Sequence, residues 1–161
     1  NKIITSIPYS IIEPFIKKLT KENFDELIMM MGKNYCMNAI DKKITYLSLM
    51  TNAFFNIEKI IDVPKEAFNP SPRVTSCLVR LTPKKELTKI EELFQKIYNL
   101  DHKKCKNAII ESLIIRDNLT QKEAKEIVNS LNIDENILNK PFSLIKNEEL
   151  ETLYNKLLQN N

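Results

Sequence analysis

The chain has 161 residues, 43% hydrophobic and 28% charged, with a net charge of +3, which suits a globular protein with a real core. Its single glycine excludes a glycine-rich cofactor turn, and its longest apolar run, residues 27–31, is too short for a bilayer span. Three scattered cysteines and one histidine argue against a disulfide framework or a zinc site and for a reducing compartment. The +3 lies entirely in residues 1–83, so a polyanionic partner is permitted without being demanded.

Residues 2–7 are apolar and β-branched and stop at Pro8, which predicts a short buried strand ending in a tight loop. Ser10 is placed to cap a short helix running to about Leu19, with Pro14 near its first turn. A polar connection over residues 20–25 leads to a second buried strand, residues 26–31, ended by Gly32. Residues 33–43 are polar and predict an irregular or weakly helical loop. Residues 44–55 carry Leu47, Met50, Ala53 and Phe54 at helical spacing. A third strand over 57–63 and a fourth over 75–81 flank a proline-rich loop and predict an antiparallel pair in a mixed sheet.

Composition changes at Thr82-Pro83-Lys84-Lys85, and beyond it no strand is evident. Residues 87–100 and 103–115 have amphipathic helical spacing. Thr120-Gln121-Lys122-Glu123 is a capping-box signature opening a helix to about Leu131. Asp134 caps a further turn, Pro141 breaks the chain, and residues 147–158 predict a last helix. The division predicted is therefore residues 1–83 and a helical lobe over residues 84–161.

Two short stretches carry chemistry. The loop from Val63 to Pro72 holds three of the seven prolines and cannot be a helix interior or a central strand. Its one large apolar side chain is Phe68, which local sequence reads either as a core plug or as a base-stacking platform. The other stretch, Ser6-Ile7-Pro8-Tyr9, ends the first strand. With Phe68-Asn69-Pro70-Ser71-Pro72-Arg73-Val74-Thr75-Ser76 about sixty residues later, it resembles the rRNA adenine dimethylases of the small ribosomal subunit and their macrolide-resistance relatives. That family carries Asn-Leu/Ile-Pro-Tyr and then a Phe-x-Pro-x-Pro-x-Val-x-Ser loop. Serine stands here where the family usually has asparagine, and Gly32-Lys33-Asn34 stands where many members have Gln-Lys-Glu.

The resemblance covers the C-terminal portion of such an enzyme. It implies an α/β fold: the C-terminal part of a Rossmann-like methyltransferase sheet, the target-base side, over residues 1–83, followed by a small all-helical lobe. It implies that Tyr9 and Phe68 sandwich an adenine, that the Ile7 carbonyl accepts from the adenine amine, and that Ser6, with Pro8 fixing the turn, occupies the asparagine position. It implies S-adenosylmethionine as cofactor, with its main binding motif upstream of Asn1, so that these residues alone are inactive. The partner implied is small-subunit rRNA or a pre-ribosomal subunit, met by a monomer in the cytoplasm or an organelle, with no membrane. Lys103, Lys104 and Lys106, in the densest basic run, and Arg73 and Arg80 are the phosphate-binding candidates, though a solvated helix face explains the lysines equally. No metal is implied. A non-catalytic relative that keeps the RNA surface, as a ribosome-assembly or transcription factor, is the alternative that Ser6 and the altered loop after Gly32 keep open.

Overall fold

Alternating burial along two central strands sets the sheet. The computed structural model describes all 161 residues. In β2 (Glu26–Gly32), Leu27, Met29 and Met31 are fully buried, and in β4 (Ser76–Pro83) so are Cys77, Val79 and Leu81. The antiparallel register puts Leu27 opposite Leu81, Met29 opposite Val79 and Met31 opposite Cys77, so six apolar side chains share one face. Truncating Leu27, Met29, Met31 or Leu81 to alanine would cost about 2–5 kcal/mol. β1 (Lys2–Ser6) lies parallel to β2, and β3 (Phe55–Val63) pairs antiparallel with β4, giving the order β1-β2-β4-β3. This is a mixed α/β sheet.

A parallel pair needs a crossover, and α1 (Ile12–Leu19) supplies it, burying Ile12, Ile16 and Leu19. Ser10 does not cap it. Pro8 instead leads into a single 3-10 turn, Tyr9–Ile11, closed by Ile11 N–H donating to the Pro8 carbonyl, and the helix grows from that turn without a side-chain cap. Within residues 33–43, for which the sequence predicts an irregular or weakly helical loop, Lys33–Ile40 form a regular helix, α2. Its buried Cys36 and Ala39 pack it against the sheet, and that contact outweighs a polar sequence. α3 (Tyr46–Phe54) follows and buries Leu49, Met50 and Ala53.

β3 is an edge strand, mostly exposed, with a register shift between Lys59 and Ile61. Arg80 on β4 holds it from the solvent side. Its guanidinium lies 3.1 Å from Glu26 and 3.0 Å from Glu58, so the arginine links three strands and is committed to carboxylates.

Two compact units are resolved: Asn1–Lys43 with Leu47–Lys85, and Ile44–Tyr46 with Glu86–Asn161. The second is helical: α4 (Lys89–Asn99), α5 (Cys105–Asp117), α6 (Gln121–Ser130), α7 (Glu135–Leu138) and α8 (Asn147–Gln159). Thr88 with Glu91 and Thr120 with Glu123 are reciprocal capping boxes, and Asp134 accepts from the Asn136 amide. Phe94, Ile97, Ile109, Leu113, Phe142, Leu150 and Leu153 form its core. Tyr46, Tyr98 and Phe142 meet with ring centroids 5.1–5.7 Å apart, and the Tyr46 hydroxyl donates to buried Asp101 at 3.0 Å.

Lys140 reaches Glu149 with bonds of 2.7 and 2.8 Å. That hydrogen bond, and then the Lys146 amide, holds the Glu149 carboxyl below its ordinary value. A depressed folded pKa gives stability that is present above the unfolded value and lost as pH falls through the folded one. Glu149→Gln should therefore lower the melting temperature at neutral pH. The gap from the parent should close as pH drops below the usual carboxylate range, and a gap independent of pH would contradict this.

Candidate functional site

Three strand ends meet at one place: the C-terminal ends of β1 and β2 and the N-terminal end of β4. Ser6 ends β1, Gly32 ends β2, and Ser76 opens β4 directly opposite Gly32. Ser76 is fully buried, and its hydroxyl is hydrogen-bonded to the hydroxyl of Tyr9. Tyr9 is thereby pinned by its tip while 39% of its surface stays exposed. Gly32 lies under the ring: a Cβ there would sit 3.9 Å from Tyr9 Cδ2 and Cε2. Gly32 has φ −61° and ψ 140°, a conformation open to any residue, and a Cβ at 3.9 Å would make only ordinary van der Waals contact with the ring.

The proline loop approaches from the other side. A 3-10 turn over Lys65–Ala67 ends with Phe68 N–H donating to the Lys65 carbonyl at 3.2 Å. Ser71 Oγ donates to the same carbonyl at 3.1 Å, and the Asn69–Pro70 peptide is cis. Phe68 is half-buried in extended backbone. Ser6, Ile7, Pro8, Tyr9 and Phe68, with Met30, Pro70 and Pro72, line one open cleft of about 360 Å³. That is at the small end of ligand pockets, of order 300–1,000 Å³, and suits one flat heterocycle. The sequence-predicted aromatic and polar residues are therefore together, although the two stretches lie sixty residues apart. Ser6 is exposed, and Ile7 follows the last paired residue of β1.

Arg73 is not in that cleft. It is exposed and lines a second one of about 490 Å³, which shares Tyr9 as a wall and also contains Lys33, Lys65 and Tyr35. The Tyr35 hydroxyl is bonded to Thr51 Oγ1 in α3, and burial pushes its phenol pKa up.

Beneath the site two thiols meet. Burial, and then a hydrogen bond with Cys36, raise the Cys77 pKa to about 12. Both cysteines are fully buried and free. With no exposed surface, neither thiol is placed to meet a substrate. No three His, Cys, Asp or Glu side chains are grouped to hold a metal ion, and no helix is long and apolar enough to cross a membrane.

In the helical unit, Lys103 grips Glu111 with bonds of 2.6 and 2.8 Å. Lys104 is the exposed N-cap of α5, and Lys106, two residues on, is half-exposed. The three lysines are adjacent, but they differ in freedom. Sequence reasoning missed Ser76 as the anchor of Tyr9 and the Cys36–Cys77 contact. For Ser76 a signal was present, since it is the last residue of the Phe68 motif.

The family model described as ribosomal RNA adenine dimethylase matches residues 1–149. The probable ribosomal RNA small subunit methyltransferase A of Pyrococcus abyssi is 32% identical over 136 residues, covering 81% of this chain and 51% of that protein. The protein of the same description from Methanococcus vannielii is 31% identical over 170 aligned positions, covering 99% and 63%. A crystal structure of a dimethyladenosine transferase from Plasmodium falciparum shares the fold, with a TM-score of 0.51 and 21% identity, over 98% of this chain and 66% of that one. The chain spans about half the length of the Pyrococcus abyssi, Pyrococcus furiosus and Methanopyrus kandleri relatives, at 51%, 50% and 51%. Its sequence match over residues 1–149 identifies it as a member of the ribosomal RNA adenine dimethylase family.

Proposed function

We propose that this chain forms the target-base side of an S-adenosylmethionine-dependent rRNA adenine dimethylase, acting on the exocyclic amine of adenosines in small-subunit rRNA. The observation that carries this reading is that Ser6-Ile7-Pro8-Tyr9 and Phe68 wall a single cleft of base size. A base inside a helix is out of reach, so it must be unstacked, at a cost of a few kcal/mol that is least in loops. Tyr9 and Phe68 offset that cost by stacking, each worth about 1–3 kcal/mol. The Ile7 carbonyl and Ser6 Oγ accept from the two amine hydrogens. Those acceptors aim the nitrogen lone pair out of the cleft and stabilise the positive charge that grows on nitrogen as it reacts. Serine reaches less far than asparagine, so Ser6 holds the amine more loosely.

S-adenosylmethionine supplies the methyl group in this chemistry. The residues of this chain do not themselves fit that cofactor. A nucleoside cradle uses several glycines at close spacing, whereas Gly32 is the single glycine and underlies Tyr9. What these residues perform is binding, orientation and shielding of the base. The partner proposed is small-subunit rRNA or a pre-ribosomal particle, met by a monomer in the cytoplasm. Arg73, Lys104 and Lys106 contact phosphates, and Lys103 does so only on leaving Glu111.

Phe68→Ala in the full-length protein should cut methyl transfer to small-subunit rRNA by roughly one to two orders of magnitude, the loss of one stacked face. Its melting temperature should fall by less than for a fully buried ring, because Phe68 keeps part of its surface exposed. A buried core phenylalanine would instead cost about 3–5 kcal/mol on truncation, and that result with an intact rate would retire the base-platform role. Unchanged RNA binding and melting with no methylation even in the parent would favour the non-catalytic relative.

Ser76→Ala removes the anchor of Tyr9 and should lower stability by about 0.5–1.5 kcal/mol. Its methylation defect should match that of Tyr9→Phe, and the double variant should be no worse than either. Independent, multiplying defects would mean that the hydroxyl contact does not position the ring.

A further inference from the structure

The second cleft gathers three cations from separate parts of the chain. Lys33 opens α2, Lys65 lies in the turn before Phe68, and Arg73 lies in the loop before β4. No carboxylate lines this cleft. The nearest counter-charge is Asp62, 3.9 Å from Lys33 Nζ, with both side chains nearly half exposed, so that pair is worth little. Lys65 and Arg73 have no ion pair of their own among the salt bridges of the molecule. Arg80, Arg116 and Lys140, by contrast, are each committed to carboxylates. Three cations facing one cavity with one weak partner repel each other until an anion enters.

The cavity also has flat and apolar walls. Tyr9, Ile12, Tyr35 and Val74 line it, so the arrangement is a charged rim over a partly apolar floor. A bare anion would use only the rim. A nucleotide, with a phosphate at one end and a heterocycle at the other, uses both. Position decides which nucleotide. Tyr9 is the common wall of this cleft and the one walled by Phe68, so a strand with one base in the first has its neighbouring nucleotide at the second.

We propose that this cleft binds the nucleotide flanking the target adenosine in single-stranded RNA, with Lys33, Lys65 and Arg73 on its phosphodiester. The proposal rests on the reading of the neighbouring cleft as the target-base site. It gives the family's base cleft in this chain a second, electrostatic subsite that fixes the strand's direction through the site. Because the contacts are to backbone phosphate, they position the strand without selecting its sequence.

The test uses the full-length protein and short labelled oligoribonucleotides that contain one adenosine, followed by fluorescence anisotropy. A neutral methylphosphonate replaces the phosphodiester on one side of the adenosine or on the other. Replacement on one side should weaken binding about tenfold, as expected for losing charge-assisted hydrogen bonds, and replacement on the other side should do little. The variant carrying Lys33→Gln, Lys65→Gln and Arg73→Gln should bind native RNA as weakly as the neutral strand and should no longer distinguish the two linkages. Its log–log salt slope should flatten by about 0.7–1.4, one or two phosphates on a single strand. Unaltered affinity and slope in the triple variant would overturn the proposal, as would equal loss from either neutral linkage. An abasic residue in place of the adenosine separates the two readings. If it binds as well as adenosine while the linkage effect persists, the base cleft fails and the phosphate subsite stands.

Discussion

The hydrogen bond between Tyr9 and Ser76 is the constraint on which the site depends. Tyr9 leaves the sheet just after β1, at a point where the chain has already turned into a 3-10 helix, and nothing local fixes where its ring points. Ser76 does so from the far end of the motif, 67 residues away in sequence. It can because β2 and β4 run antiparallel, which brings the end of one beside the start of the other and sets Gly32 opposite Ser76. The ring then has a fixed tip and a floor without a side chain. An exposed aromatic that is pre-positioned loses little entropy when it stacks.

The same geometry makes one ring serve two cavities. On one side Tyr9 meets Phe68, Pro70 and Pro72, and on the other Lys33, Lys65 and Arg73. The proline loop feeds both, since Phe68 belongs to the first cleft and Lys65 and Arg73 to the second. Within that loop of three prolines in ten residues, the one local turn is the 3-10 turn at Lys65–Ala67, to which Ser71 is tied. The loop's position is set by the ends it joins, β3 and β4, which are paired along most of their length. Loop, sheet edge and tyrosine are therefore one mechanical unit. A change at Ser76 acts on the position of the Tyr9 ring from the far side of the sheet.

Much of this was legible in the sequence where the signal is local. The apolar runs of β2 and β4, the Thr120–Glu123 capping box, the break at Pro141 and the two short motifs all rest on neighbours within a few residues. What was not legible depends on partners far away. Residues 33–40 look polar, and they become helix only because Cys36 and Ala39 meet the sheet. Ser10 looks like a cap but falls inside the turn that Pro8 starts. The lysine run gives no hint that Lys103 is already paired, because Glu111 lies eight residues on. Arg80 and Arg73 are equivalent in sequence, yet one sits between two glutamates and the other faces an open cleft.

The central claim is that Tyr9 and Phe68 clasp one base. It is tested most directly by a double-mutant cycle of Tyr9→Ala and Phe68→Ala in the full-length protein, read as kcat/KM for methylation of small-subunit rRNA. Two faces of one clasp act together, since a ring that has lost its opposite holds little. Each single change should cost roughly one to two orders of magnitude, and the double should be little worse than the more damaging single. If the two losses instead multiply, the rings act at separate places, and the account of the cleft is wrong.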